Sequence, residues 1–138
     1  MTGRQRFTAS ELAMLQQAKI LGVRAGAEHR FTGVWIVVVD DRVFVRSWND
    51  KPTGWYRAFR ESPRGTISVG KIEIAIVARA VRSERIRHAV TQAYADKYHT
   101  KASEKWVAGF AEPQREATTL ELVPAGARER AQLPDATQ

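Results

Sequence analysis

Two pairs of apolar segments in this chain are joined by only two residues each. Residues 34–39 are followed by Asp40 and Asp41 and then by the apolar stretch 42–48. Residues 66–69 are followed by Gly70 and Lys71 and then by 72–81. A two-residue connection turns a strand back on its neighbour, whereas a parallel crossover needs a dozen residues or more. The sheet is therefore antiparallel. Val34, Ile36, Val37, Val38 and Val39 are apolar on both faces of their strand, so that strand is covered on both sides. In 72–81, Ile72, Ile74 and Ile76 alternate with Glu73, Ala75 and Val77.

Helices surround these hairpins. Thr8 and Glu11 have capping-box spacing, and Phe7 and Leu12 have staple spacing; the helix they open runs to about Leu21, with Gly22 as its left-handed cap. Residues 22–30 then read as a loop. Trp55 and Phe59, at i,i+4, mark a short helix over 55–61. Ser83 caps the clearest helix, in which Ile86, Ala89, Val90, Ala93 and Tyr94 form one stripe. A short helix over 103–110 and a last strand over 118–123 complete the pattern. Five strands with so many apolar faces are most economically closed into a barrel. The expected fold is α+β, a small antiparallel β-barrel with flanking helices. Residues 1–123 form one domain, and 124–138 form a flexible tail rich in Ala, Arg, Pro and Gln.

Composition narrows the chemistry. The chain has 138 residues, no cysteine and a formal charge of +7. Disulfides, thiolate nucleophiles and cysteine zinc sites are excluded. No apolar run is long enough to span a bilayer and residues 1–7 hold no signal core, so a cytoplasmic protein is expected. No glycine-rich phosphate loop and no H-E-x-x-H is present. The three histidines, His29, His88 and His99, lack ligand spacing, so no metal is expected. The basic balance suits an anionic partner or, equally simply, an arginine-rich soluble surface.

The segment that brings unlike chemistries together is Arg46, Ser47 and Trp48, followed by Trp55, Tyr56 and Arg57. An arginine and a hydroxyl near a helix start can hold phosphate, and adjacent aromatics can wall a flat ring. In the plainer reading, Trp55 and Phe59 pin the short helix to the barrel, while Arg57 and Glu61 pair on the surface. Tyr94 and Tyr98 share a helix face; Tyr94 suits a core position, and Tyr98 stands at the helix end. Trp106 and Phe110 share a face of the next element and cover either the barrel mouth or its end.

Several of these pieces resemble an uncharacterised prokaryotic family, a domain of unknown function. They are Val-Arg-Ser at 45–47, Trp-Tyr-Arg at 55–57, Ala-Tyr-x-x-Lys-Tyr at 93–98 and Thr-Thr-Leu-x-Leu-x-Pro at 118–124. The resemblance covers residues 30–124, and that family lends no established activity. More distantly, the layout is similar to split-barrel flavoproteins of the deazaflavin-dependent, nitroreductase-like group. That resemblance implies a split barrel and a homodimer that binds FMN or a deazaflavin as an oxidoreductase acting on a small organic molecule. Arg46, Ser47 and Arg57 would hold phosphate, Trp55 and Tyr56 would lie against the ring, Tyr94 and Trp106 would meet substrate, and Tyr98 would be the acid. The group's Thr-Thr-Gly-Arg-x-Ser-Gly-like phosphate loop is not matched in residues 21–33, where Arg24, Arg30 and Thr32 stand instead. The same fold without a cofactor would bind a small metabolite. A nucleic-acid-binding barrel is the third reading, against which the aromatics fall at core-compatible positions rather than in an exposed alternating set.

Overall fold

A computed structural model describes residues 6–26, 30–49, 51 and 53–126. Its elements in chain order are α1 (Ala9–Gln17), β1 (Leu21–Ala25), β2 (Thr32–Val34), β3 (Ile36–Val39), β4 (Arg42–Val45), α2 (Trp55–Glu61), β5 (Arg64–Val69), β6 (Ile72–Ala80), α3 (Glu84–Lys97), a single 3-10 turn (Lys101–Ser103), α4 (Glu104–Phe110), α5 (Pro113–Glu116) and β7 (Leu120–Pro124). The strands form one sheet in the order β2-β1-β5-β6-β7-β4-β3, and each neighbouring pair is antiparallel. β2 and β3 stand at opposite ends of this order, yet only Trp35 separates them in the chain. One bent segment thus begins against β1 and ends against β4. This brings the sheet's ends together as a nearly closed barrel with five flanking helices among the described residues, the split-barrel architecture.

Both hairpins form. The β3–β4 turn is made by Asp40 and Asp41 with φ of 50° and 62°, the pair of positive angles that a type I′ turn requires. Gly70, with φ of 58°, opens the β5–β6 turn. The α1 capping box closes in both directions, the Glu11 N–H donating to Thr8 Oγ1 at 3.1 Å and the Thr8 N–H to Glu11 Oε1 at 2.8 Å. Phe7 and Leu12 join the same core.

Three expectations are corrected. Residues 34–39 are not one strand, because the chain must leave one edge of the sheet and join the other at Trp35. Residues 22–30 are not all loop. Leu21, Val23 and Ala25 alternate inward as β1, while α1 stops at Gln17, leaving Ile20 exposed. The last strand starts at Leu120, since Thr118 and Thr119 turn their hydroxyls to the Arg115 and Glu116 carbonyls, at 2.6 Å each. That strand continues through Pro124, whose successor Ala125 donates its N–H to Ala75 O at 2.9 Å. The remainder of the expected tail, from 127 on, lies outside the described residues.

The core has two parts, divided by the sheet. Ile36, Val43, Val45, Ile67, Ile76, Leu120 and Leu122 fill the barrel with Leu15 of α1 and Phe59 of α2. Val37 and Phe44, on the other face, pack with Val90, Tyr94, Tyr98 and Phe110. The second layer that residues 34–39 require is therefore α3 of the same chain. Its stripe is buried as its periodicity predicts, with Val90 and Tyr94 wholly enclosed. No helix among the described residues is long and apolar enough to cross a membrane.

Gly65 is the tightest point of the barrel. A Cβ there would overlap the backbone oxygen of Arg24 on the paired strand and the edge of the Phe59 ring. Backbone cannot swing aside as a long side chain can. Gly65→Ala is expected to destabilise the fold by about 1–3 kcal/mol, the range of core overpacking, read as a lower urea midpoint at unchanged slope.

Candidate functional site

A cavity of about 680 Å³ opens at one end of the barrel. Its wall is made by the start of β2, Trp35 at the strand break, the segment that follows β4, the first residue of α2, and one face of α4. The chain has four tryptophans, and all four line this cavity: Trp35, Trp48, Trp55 and Trp106, joined by Phe110. Polar groups come from Thr32, Ser47, Asn49, Lys51 and Thr53. Both the volume and the mixed lining are those of small-molecule sites.

Two of the rings are fixed from behind. Trp35 stacks flat on Tyr98, with centroids 4.0 Å apart and planes 2° from parallel. Trp48 has the Arg115 guanidinium 3.6 Å over its ring, and its carbonyl accepts from Arg115 Nε at 3.0 Å. The edges of Trp106 and Phe110 meet Trp48 at 4.8 and 5.3 Å. α4 passes this close only because residue 109 is glycine; a Cβ there would enter the Trp48 ring. Trp106 is 41% exposed and Ile20 56%, so the mouth is apolar as well.

Arg46 lies in the wall and is 1% exposed. Its guanidinium donates to Thr119 Oγ1 (2.8 Å), Thr91 Oγ1 (2.8 Å), Phe110 O (2.9 Å) and Arg87 O (2.6 Å). Four of its five N–H donors are thus engaged, and no carboxylate among the described residues pairs with it. Burial lowers its pKa from the ordinary arginine value; Tyr94 and Glu116 oppose that at a distance, and Arg87 adds to it. Ser47 is also committed. Its N–H donates to Thr118 Oγ1 at 2.9 Å and its hydroxyl to the Asn49 carbonyl.

Of the residues singled out in the sequence, Arg46, Ser47, Trp55 and Trp106 come together at this cavity. Tyr56 and Arg57 point elsewhere, because successive residues on a helix diverge by about 100°. They line a separate hollow of about 320 Å³ with Arg60 and Glu61, where the Tyr56 hydroxyl accepts from Arg60 NH1 at 2.9 Å. Tyr94 is enclosed in the outer core, its hydroxyl donating to Trp35 O at 3.1 Å. Tyr98 lies behind Trp35, and its hydroxyl meets Lys19 O (2.7 Å), Ile36 O (3.2 Å) and the Ile36 N–H (3.1 Å). Trp35 and Lys51 are lining residues that the sequence reading missed, whereas Thr32, noted there in place of a phosphate loop, does line the cavity and Arg24 and Arg30 are not among its lining residues. Trp35 sits inside an apolar run and reads there as ordinary strand. The loop between Trp48 and Trp55 did carry a signal, two tryptophans bounding a stretch rich in turn formers. No group of three potential metal ligands occurs among the described residues.

A family model described as an uncharacterized protein conserved in bacteria (DUF2255) matches residues 11–122. No curated protein matches the chain. Among solved structures, a conserved hypothetical protein of Mycobacterium tuberculosis is similar at 14% identity and a TM-score of 0.58, over 96% of this chain and 92% of that one. A putative pyridoxamine 5′-phosphate oxidase of Listeria innocua is similar at 12% identity and a TM-score of 0.54, over 86% and 91%. A domain-swapped dimer is similar at 14% identity and a TM-score of 0.52, over 83% and 92%. At these identities the likeness is one of fold.

Behind the cavity, Lys97 donates to Ile36 O at 2.8 Å and Leu15 O at 3.2 Å, and burial pushes its pKa down to about 8 from 10.5. The unfolded chain therefore binds more protons than the folded one between those values, and stability rises with pH from about 8. Burial pushes Tyr98 up to about 12 from 10.0, an effect the Ile36 backbone partly offsets, and it raises Tyr94 as well. Their contribution is complete below pH 10 and is lost above it. Urea midpoints of the wild type should rise from pH 7.5 to 9.5 relative to those of Lys97→Met. Parallel profiles for the two proteins would contradict this.

Proposed function

The chain belongs to the bacterial family of uncharacterized conserved proteins, DUF2255, and from that premise we propose that its barrel-end cavity binds a flat conjugated ligand, FMN or a deazaflavin, for oxidoreductase chemistry on a small organic molecule. The observation that carries this reading is the convergence of all four tryptophans on one cavity of ring-binding size. Aromatic walls recognise a flat ring through its faces and edges.

The ring half of a flavin fits this lining. For the phosphate half, Arg46 and Ser47 have their polar atoms engaged and Arg57 lies in the other hollow, so Lys51 with the hydroxyls of Thr32 and Thr53 would hold it. When bound, the flavin supplies the hydride chemistry. Trp55 and Trp106 exclude water from the two sides of the mouth. Tyr98 acts by holding Trp35 flat, since its own hydroxyl is engaged by three backbone groups. Exposed Ile20 and Trp106 give the mouth an apolar rim suited to a homodimer; a monomer in sedimentation at high micromolar concentration would remove that part of the reading.

Titration of FMN, a deazaflavin and a short single-stranded oligonucleotide, followed by intrinsic tryptophan fluorescence, tests the proposal. Saturable quenching by a flavin is expected. Trp55→Ala should weaken binding by about 1 kcal/mol, the usual worth of an aromatic pair, roughly fivefold in Kd; its melting curve must be recorded beside it because Trp55 also packs on Phe59. Oligonucleotide binding without flavin binding would make this a nucleic-acid-binding barrel. Binding of neither, in a folded protein, would leave the cofactor-free metabolite reading, which the engaged donors of Arg46 favour.

A further inference from the structure

We propose that the cavity selects the anionic member among ring ligands of one shape, and that the selecting charge is the buried guanidinium of Arg46, acting through space rather than by an ion pair. The inference rests on the cavity being a ligand site, as argued above, and concerns what the site discriminates.

Buried cations in proteins are as a rule paired with carboxylates. Even more exposed arginines among the described residues have such partners: Arg24 with Glu73 at 3.8 Å, Arg42 with Glu121 at 2.7 Å and Arg115 with Glu112 at 2.8 Å. Arg46 is more deeply enclosed than any of them and has none among the described residues. Two threonine hydroxyls and two backbone carbonyls orient its guanidinium without cancelling its charge. One of those carbonyls belongs to Phe110, whose side chain lies against the Trp48 ring at the cavity. Among the described lining residues there are two cations, Arg46 and Lys51, and no carboxylate. A charge fixed behind aromatic walls is poorly screened, so it is felt across the cavity. Because four of its five donors are taken up by protein oxygens, it favours negative charge without dictating where on the ring that charge sits. A charge on exposed Lys51 would behave differently, since salt screens it.

Calorimetric titration of the full chain with three probes of one shape decides the matter: 2-naphthoate, neutral 2-naphthamide and cationic 2-naphthylmethylammonium. Naphthoate should bind at least about tenfold more tightly than the amide, with the ammonium weakest. That preference should persist from 50 to 500 mM NaCl, and fall to within about twofold in Arg46→Gln while Arg46→Lys keeps it. Should Arg46→Gln fail to fold, the salt series on the wild type decides. Equal binding of acid and amide overturns the proposal and leaves the cavity intact as a site. A preference lost at high salt, or kept in a folded Arg46→Gln, overturns the assignment to Arg46. No binding of any probe overturns both the charge selection and the cavity reading.

Discussion

A guanidinium gripped by four neutral oxygens sets where everything around the cavity stands. Arg46 leaves the end of β4 and ties together the approach to β7 through Thr119, the middle of α3 through Thr91 and Arg87, and the end of α4 through Phe110. Hydrogen bonds from a charged donor are worth about 1.5–3 kcal/mol each, though not additively. Together they outweigh the loose attachment that a one-turn 3-10 segment and a seven-residue helix would otherwise have. With Phe110 O held, the α4 face that carries Trp106 and Phe110 is placed against Trp48. The barrel strand, the covering helix and the cavity wall are thereby one mechanical unit.

The same unit explains why an open hollow can be lined by large rings without collapsing. Each inner ring already has a neighbour on its far side: Tyr98 for Trp35, Arg115 for Trp48 and Phe59 for Trp55. A ligand need not order them, so little conformational freedom is lost on binding. Trp106 differs, being exposed at the rim and supported chiefly by Trp48. The barrel contributes shape and rigidity, and the recognition chemistry comes from the loop after β4 and from α4, in keeping with the general division between scaffold and site.

Local chemistry was legible in the sequence wherever one element decides its own form. The capping box at Thr8 and Glu11, the two-residue turns and the α3 stripe were all readable, since each rests on neighbours within a few residues. What could not be read was set by distant partners. β1 holds only Leu21, Val23 and Ala25 on its inner face and gains its identity from pairing with β5 some 40 residues on. The break at Trp35 follows from the need to close the barrel, which no local pattern announces. For the site, residue type drew attention to Arg46, but its direction was fixed by Thr91 and Thr119, so a residue suited to holding phosphate is instead bonded into the fold. Trp35 was hidden for the converse reason, an apolar run in which its ring reads as core. Membership of the uncharacterised bacterial family and the split-barrel architecture were both legible, through motifs spread over 45–124.

The place of β7 in the sheet bears on how the chain reaches this form during synthesis. Leu122 pairs at once with Val43 on β4 and with Ala78 on β6, so the last of the described strands is the one between two earlier ones. While the ribosome is still making α3 to α5, β4 and β6 each present an unpaired edge and cannot pair with their final neighbour. Open edges of apolar strands invite pairing with other chains, and contacts this remote in sequence form slowly. The nascent protein therefore passes through a stage in which its two hairpins are complete but its sheet is not. Truncation ahead of Leu120 would hold the molecule at that aggregation-prone stage rather than merely shorten it.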